Sequence, residues 1–349
     1  MRSGINQALQ TLLRVVPPEF RPEPDGDTVR ISRGSTYWVF HPVWAGEGLP
    51  ADVRRVRNMI THSSLQPRGI PVITARRMSP GAREILSEEQ LSWADAGGRA
   101  QIVVPEEVYI TRLDPIPVDA GRRFKWSAAA DAVAETLLAW QVRQGPDAHE
   151  PLERPAEIAE TAGVSIPHAA RVLRQFDEQS YTAKIGAERG SSAGRALRDP
   201  GRMLSDWAGH HAASSLTAAA EFHVPWREHQ LSISMLAESL SNLDWAVTGV
   251  AAADRIAPYL TSIPTVDIYV SADALQEALQ LLSSQRDVMQ VDQGGRVRVF
   301  AESEYVFRLA DHQDGLRVAS PIRVYSDLLR LGGRAAEAAE YLREATIGF

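Results

Sequence analysis

The sequence of 349 residues contains no cysteine. Disulfides, thiolate nucleophiles and cysteine-ligated zinc or iron–sulfur centres are therefore excluded. Lysine is nearly missing too: it occurs only at Lys125 and Lys184, so arginine supplies almost all of the 37 basic residues. That bias reads mainly as GC-rich coding, although arginine also suits planar contacts to phosphate and guanine better than lysine does. No apolar run is long enough to span a bilayer, and Met1-Arg2-Ser3-Gly4 lacks the apolar core of a signal peptide. The expectation is a soluble, cytoplasmic protein with no membrane partner. Internal repeats and long low-complexity tracts are also missing. A formal net charge of -7 and a pI near 5.8 argue against a histone-like coating of DNA, while leaving room for a small basic face on one domain.

What is present supports sizeable cores: 44% of the residues are hydrophobic, and the length accommodates two or three domains. Changes of pattern divide the chain into residues 1–121, 122–213 and 214–349, a multidomain α/β reading. The first block opens with an amphipathic helix from Gly4 to Val16 and a loop rich in proline and acid from Pro17 to Asp27. Strands are expected at Thr28–Ser32, Thr36–His41, Pro71–Ala75 and Ala100–Val104, and helices near Ala51–Thr61 and Ser79–Glu89. A proline-rich connection from Leu113 to Gly121 ends the block. The third block holds strands at Trp245–Thr248, Thr265–Val270 and around Val297 and Val306, with helices at Val250–Tyr259 and Ala272–Ser283. Two short helices hinged at Gly332-Gly333 follow.

Between these blocks, a helix from Ser127 to Val142 leads to the most telling stretch, Pro155 to Phe176. Ile158, Ala159 and Ala162 form the inner face of one helix, Gly163 supplies a left-handed turn, and Ser165 caps a second helix with Pro167 in its first turn. Helical spacing buries Ala169, Val172, Leu173 and Phe176 and turns His168, Ala170, Arg171 and Arg174 outward. Arginine matches the O6 and N7 edge of guanine bidentately, and a helix N-terminus beside His168 suits a phosphate or a base. Tyr181–Ile185, a Gly-, Ser- and Arg-rich stretch over 186–194, and Arg195–Arg198 read as a two-stranded wing. Met203, Leu204 and Trp207 then mark the inner face of a further helix. From His168 to Arg202 the bases Arg171, Arg174, Lys184, Arg189, Arg195, Arg198 and Arg202 outnumber the acids Asp177, Glu178, Glu188 and Asp199. A winged helix-turn-helix binding double-stranded DNA follows, with Ser165, Pro167, His168, Ala170, Arg171, Arg174, Lys184, Arg189, Arg195 and Arg198 as its contact set. The competing readings are solvated helix charges and a winged domain that docks protein.

The order of blocks and their wording resemble the AbiEi-type transcriptional regulators, the antitoxins of type IV toxin–antitoxin systems. The specific pieces are Val318-Ala-Ser-Pro321 through Tyr325-Ser-Asp327-Leu-Leu, Gly333-Arg-Ala-Ala-Glu-Ala-Ala-Glu340, the turn at Gly163-Val-Ser165, and Trp93-Ala-Asp-Ala-Gly97-Gly-Arg-Ala. The resemblance implies a degenerate restriction-endonuclease-like first domain, a winged helix-turn-helix second domain and a nucleotidyltransferase-like third. It further implies binding to an operator upstream of its own operon, hence autorepression, and opposition to a cognate toxin.

Both enzyme-like folds are testable on residues. A metal-dependent nuclease needs an aspartate at the start of one strand and Glu-x-Lys on the next. Tyr37-Trp-Val-Phe-His41-Pro-Val-Trp44 contains no such pair, and Asp25, Asp27 and Glu47 read as loop charges with Asp95 a turn residue. A nucleotidyltransferase needs a small turn for the triphosphate and an acid-x-acid strand for two magnesium ions. Thr248-Gly249-Val250 offers the turn, but Thr265 stands where the first acid belongs, leaving Asp267 with Glu302 or Glu304 as remote candidates. The expectation is a non-enzyme with no catalytic or metal residues and no cofactor, in which Asp267 is a solvated strand-end residue. The alternative is a magnesium-dependent nucleotidyltransferase centred on Gly249 and Asp267. His210, His211, His223 and His229 lack metal-ligand spacing and read as surface or hydrogen-bonded core groups. Trp207, Trp226 and Trp245 read as core anchors.

Overall fold

The computed structural model describes residues 2–62, 69–105, 107–112, 124–145, 151–152, 154–186, 193–313 and 316–349. It divides into two units, residues 1–123 and 124–349. The expected connection Leu113–Gly121 lies outside the described residues.

The first unit runs α1 (Arg2–Val15), β1 (Arg21–Asp25), β2 (Thr28–Arg33), β3 (Thr36–Trp44), α2 (Pro50–His62), β4 (Ile70–Ala75), α3 (Pro80–Glu88), β5 (Ser92–Asp95), β6 (Ala100–Val104) and β7 (Val108–Arg112). The strands form one sheet in chain order, with β3, β4 and β5 parallel and the remaining pairs antiparallel. Neighbouring residues of each central strand point to opposite faces. Val72 and Ala94 accordingly join the cluster with Leu12 and Val15 of α1, while Ile73 and Trp93 join the cluster with Val53 of α2 and Leu86 of α3.

Three strands of this unit were not expected, β1, β5 and β7, and proline explains the first of them. The segment expected as a loop is the edge strand β1, in which Pro22 and Pro24 pair with Ile31 and Val29. An edge strand tolerates proline because alternate N–H groups face away from the ladder. β3 likewise continues through Pro42 to Trp44, where β2 has already ended its pairing at Phe40 and only β4 remains alongside.

The second unit runs α4 (Ala128–Gln144), α5 (Pro155–Thr161), α6 (Ile166–Glu178), β8 (Thr182–Gly186), β9 (Ala193–Leu197), α7 (Pro200–Ala213), β10 (Ala220–His223), α8 (His229–Ser239), β11 (Trp245–Thr248) and α9 (Gly249–Ile256). It continues with β12 (Val266–Ser271), α10 (Leu275–Ser283), β13 (Met289–Val291), β14 (Val297–Glu302), α11 (Glu304–Leu309), β15 (Asp311–Gln313), β16 (Leu316–Val318), α12 (Pro321–Leu331) and α13 (Gly333–Leu342). β8 and β9 form an antiparallel hairpin, and the other strands make a sheet in the order β13-β10-β14-β12-β11-β16-β15. The strand expected around Val306 is a helix, α11. Ser303 starts it in extended backbone (φ -75, ψ 150), and Val306, Phe307 and Leu309 share its buried side. The hinge before α13 is as expected, with Gly332 at φ 68.

One hydrophobic cluster runs through this unit, taking in Leu137 of α4, Leu173 and Phe176 of α6, Trp207 of α7, Ile268 of β12 and Ile322 of α12. A buried polar network joins the same elements. Arg323 of α12 forks onto Glu135 of α4 at 3.1 and 2.5 Å, and donates to Tyr305 at 2.7 Å and Glu302 at 3.3 Å. His211 meets Arg323 through Nε2 at 2.6 Å and Ser326 through Nδ1 at 3.0 Å, while Arg330 donates to its carbonyl at 3.0 Å. Arg330 Nη2 also lies 2.9 Å from Nδ1, so guanidinium donors face both ring nitrogens, an arrangement that suits a neutral ring and opposes a charged one. Burial, followed by the charges of Arg323, Arg330 and His210, pushes His211 down to about 2. No helix among the described residues is long and apolar enough to cross a membrane.

Candidate nucleic-acid interface

The helix pair is built locally. α5 starts at Pro155 behind Arg154, whose backbone N–H donates to the Glu157 carboxylate at 2.9 Å. It ends at Gly163, whose φ of 66 lies in the left-handed region where a side chain is strained. Arg308 of α11 donates to the Glu160 carbonyl at 2.6 Å, satisfying one of the acceptors left over at the end of α5.

α6 follows with Pro167 in its first turn. Ser165 holds the cap position in extended backbone, but it makes no side-chain bond to the helix backbone; its Oγ lies 3.3 Å from His168 Nδ1 instead. Ala169, Val172, Leu173 and Phe176 are buried as their spacing requires. Pro167, His168, Arg171 and Arg174 are exposed, and Ala170 is half-buried. Beneath the inner face, Phe176 packs with Phe124, Trp126 and Tyr181, and the hydroxyl of Tyr181 donates to Asp206 at 2.7 Å.

The β8–β9 hairpin rises directly after α6. Lys184 pairs across the ladder with Arg195, and Leu152 donates its amide to the Arg195 carbonyl at 2.7 Å. Lys184 and Arg198 are exposed. Arg195 is not turned outward: its Nε and Nη2 reach Asp177 at 2.9 and 2.7 Å, and Thr182 donates to the same carboxylate at 2.6 Å. Burial works to raise Asp177, but the bonds from Arg195 and Thr182 outweigh it and hold the carboxyl below the usual carboxylate range. Arg189 lies outside the described residues.

Internal pairing refines the charge balance. Arg195 is spent on Asp177, and Arg202 sits over the Tyr181 ring at 4.6 Å and near Asp199 at 3.5 Å. Arg171, Arg174, Lys184 and Arg198 are left, with no ion-pair partner among the described residues. Three of these four cations lie on the outward face of α6 and on β8.

Asp267 departs from its sequence reading. It is buried, 4% exposed, and accepts a two-pronged bond from Arg298 at 2.7 and 2.5 Å. β12 is an inner strand between β11 and β14, and all six of its residues are buried, so both faces of the strand are covered as well as both edges. A Cβ on Gly249 would stand 2.8 Å from Asp267 Oδ2, so the turn and the carboxylate are packed against each other. Among the described residues no three acids or histidines converge as a metal site. Asp95, expected as a turn residue, does stand at a turn. It is fully buried and accepts from Met78 N at 3.2 Å, Arg99 N at 3.0 Å and the Arg99 guanidinium at 2.9 and 2.8 Å, closing the β5–β6 turn.

Residues 196–348 match a family model described as transcriptional regulator, AbiEi antitoxin, type IV TA system. That stretch is similar to the AbiEi antitoxins. The AbiEi match begins inside β9 and takes in α7, the seven-stranded sheet and α12 with its buried Arg323; α5 and α6 precede it. The family description is that of a regulator of transcription within a toxin–antitoxin pair, not of an enzyme. No curated protein and no solved structure matches the chain. The buried network, in which Ser320 donates to Glu135 at 3.4 Å and Arg330 to Asp327 at 2.8 Å, went unread in the sequence, although Ser320, Arg323, Ser326 and Asp327 lie in the tail that carries the AbiEi resemblance.

Proposed function

We propose that the protein is a sequence-specific DNA-binding repressor of its own operon, the antitoxin partner of a type IV toxin. In this reading α4 to β9 form a winged helix-turn-helix. Arg171, Arg174 and Ala170 on α6 face base edges in the major groove. Ser165, Pro167 and His168 sit at the backbone beside the helix N-terminus, and Lys184, Arg189 and Arg198 lie along the phosphates of the wing side. The first unit serves as a degenerate restriction-endonuclease-like domain, and the β10–β16 sheet as a nucleotidyltransferase-like core kept for binding. The observation that carries the reading is the pair Arg171 and Arg174, exposed on the outer face of α6 and without acidic partners among the described residues, ahead of a region similar to AbiEi antitoxins.

The test is a reporter fused to the operon's own upstream region, with the protein supplied in trans. Repression by the wild type and its loss in the Arg171→Ala, Arg174→Ala double variant is the expected result. Full repression by that variant would refute base reading by α6.

A further inference from the structure

The sequence reading groups Arg195 with the phosphate-facing cations, yet its side chain is only 16% exposed and both prongs of its guanidinium are occupied. We infer that Asp177, Thr182 and Arg195 form a clasp that fixes the β8–β9 hairpin on α6, so that Arg195 is a positioning residue of the DNA-binding surface and touches no phosphate. This inference deepens the DNA-binding reading and rests on it for its functional readout.

The geometry supports it at several points. Asp177 lies on α6 one turn beyond Arg174, so its pose is tied to the reading face. Its two oxygens are shared out to both strands of the hairpin, Thr182 on β8 and Arg195 on β9. A two-pronged arginine–carboxylate pair fixes direction as well as distance, which a single contact does not. The backbone reinforces the same place: Arg198 donates its amide to the Tyr181 carbonyl at 2.8 Å, and Leu152 donates to the Arg195 carbonyl. Asp177 also neutralises Arg195 directly across the ladder from Lys184, where two bare cations would repel. Lys184 and Arg198 are thereby left as the wing cations that face outward.

The clasp and a phosphate contact predict different outcomes for the full-length protein titrated with its own upstream duplex across a salt series. With the clasp, Arg195→Ala and Asp177→Asn each weaken binding about five-fold and leave the salt slope unchanged. The Asp177→Ala, Arg195→Ala double variant is then no worse than either single change. Lys184→Ala and Arg198→Ala instead flatten the slope by about one unit per lost contact. Arg195→Lys separates the two ideas further. Lysine serves a phosphate nearly as well, whereas it cannot make the fork, so the clasp predicts a loss like that of Arg195→Ala.

Amide hydrogen exchange without DNA gives a second reading: Asp177→Asn and Arg195→Lys should speed exchange in Thr182–Gly186 and Ala193–Leu197 while leaving α12 protected. The clasp is overturned by a flattened slope in Arg195→Ala with Asp177→Asn unaffected, or by unchanged hairpin exchange in both variants. Equal wild-type binding to its own and to a scrambled duplex would instead sink the functional reading, and hairpin exchange alone would then decide the clasp.

Discussion

Partnership separates the arginines from α6 to α7 into two kinds. Arg195 and Arg202 are spent on Asp177 and on Tyr181 and Asp199, whereas Arg171 and Arg174 stand exposed. An arginine of the second kind gains most from a base edge, so Arg174→Ala should erode discrimination between operator and random duplex by about 1 to 3 kcal/mol. Competition titrations with both duplexes measure it, and equal losses on the two would show that Arg174 meets only phosphate. His211 makes a prediction on stability. Its folded value is depressed to about 2, so the unfolded chain binds the proton first as the pH falls below the ordinary histidine range of about 6.5. Stability from this group is complete above that point and declines below it, by about 1 kcal/mol per pH unit. Urea unfolding at pH 7.5, 6.5 and 5.5 should show that decline in the wild type and a flatter course in His211→Gln; parallel courses would refute the neutral buried ring.

At the scale of elements, glycine tests how the turns are made. Gly163 and Gly249 both have left-handed backbone, at φ 66 and φ 61, but their surroundings differ. A Cβ on Gly163 meets nothing closer than 3.9 Å, so Gly163→Ala should cost only the backbone strain of about 1 to 2 kcal/mol. On Gly249 the same atom comes within 2.8 Å of Asp267, so Gly249→Ala should cost more and disturb the Asp267–Arg298 pair. Unfolding midpoints of the two variants compare the costs, and equal midpoints would contradict the packed Gly249 turn. Legibility followed the same division between local and distant causes. α6 could be read because its spacing, its proline and the preceding glycine are all local signals. β1 was hidden by prolines that only its place at a sheet edge makes tolerable. α11 was hidden because Val306 and its apolar neighbours fit a strand as well as a short helix, and the buried side of the helix faces partners distant in sequence. Asp267 read as solvated because nothing local announces that β12 is flanked on both sides, nor that Arg298 stands beside it on β14. The outward residues were legible as a face of α6, but the inward turn of Arg195 depends on Asp177 and Thr182 together.

For the whole molecule, the telling fact is that the helix pair does not have a core to itself. Leu173 and Phe176 belong to the same cluster as Ile268 and Ile322, and Glu135 of α4 is neutralised by Arg323 of α12. Cutting the chain after residue 213 would leave Glu135 buried without its partner, a penalty of about 3 to 5 kcal/mol when one member of a buried pair is lost. A fragment of residues 124–213 should therefore fail to fold, while one of residues 124–349 folds cooperatively; a cooperative melt of the shorter fragment would show that the helix pair is independent. The region similar to AbiEi antitoxins would thus be the platform on which α6 is set. The central claim, sequence-specific DNA binding through α6, is tested most directly by fluorescence anisotropy of the full-length protein with its own upstream duplex and a scrambled one across a salt series. A preference of at least about three decades for the upstream duplex is the predicted result; equal affinity for both duplexes at every salt concentration would contradict it.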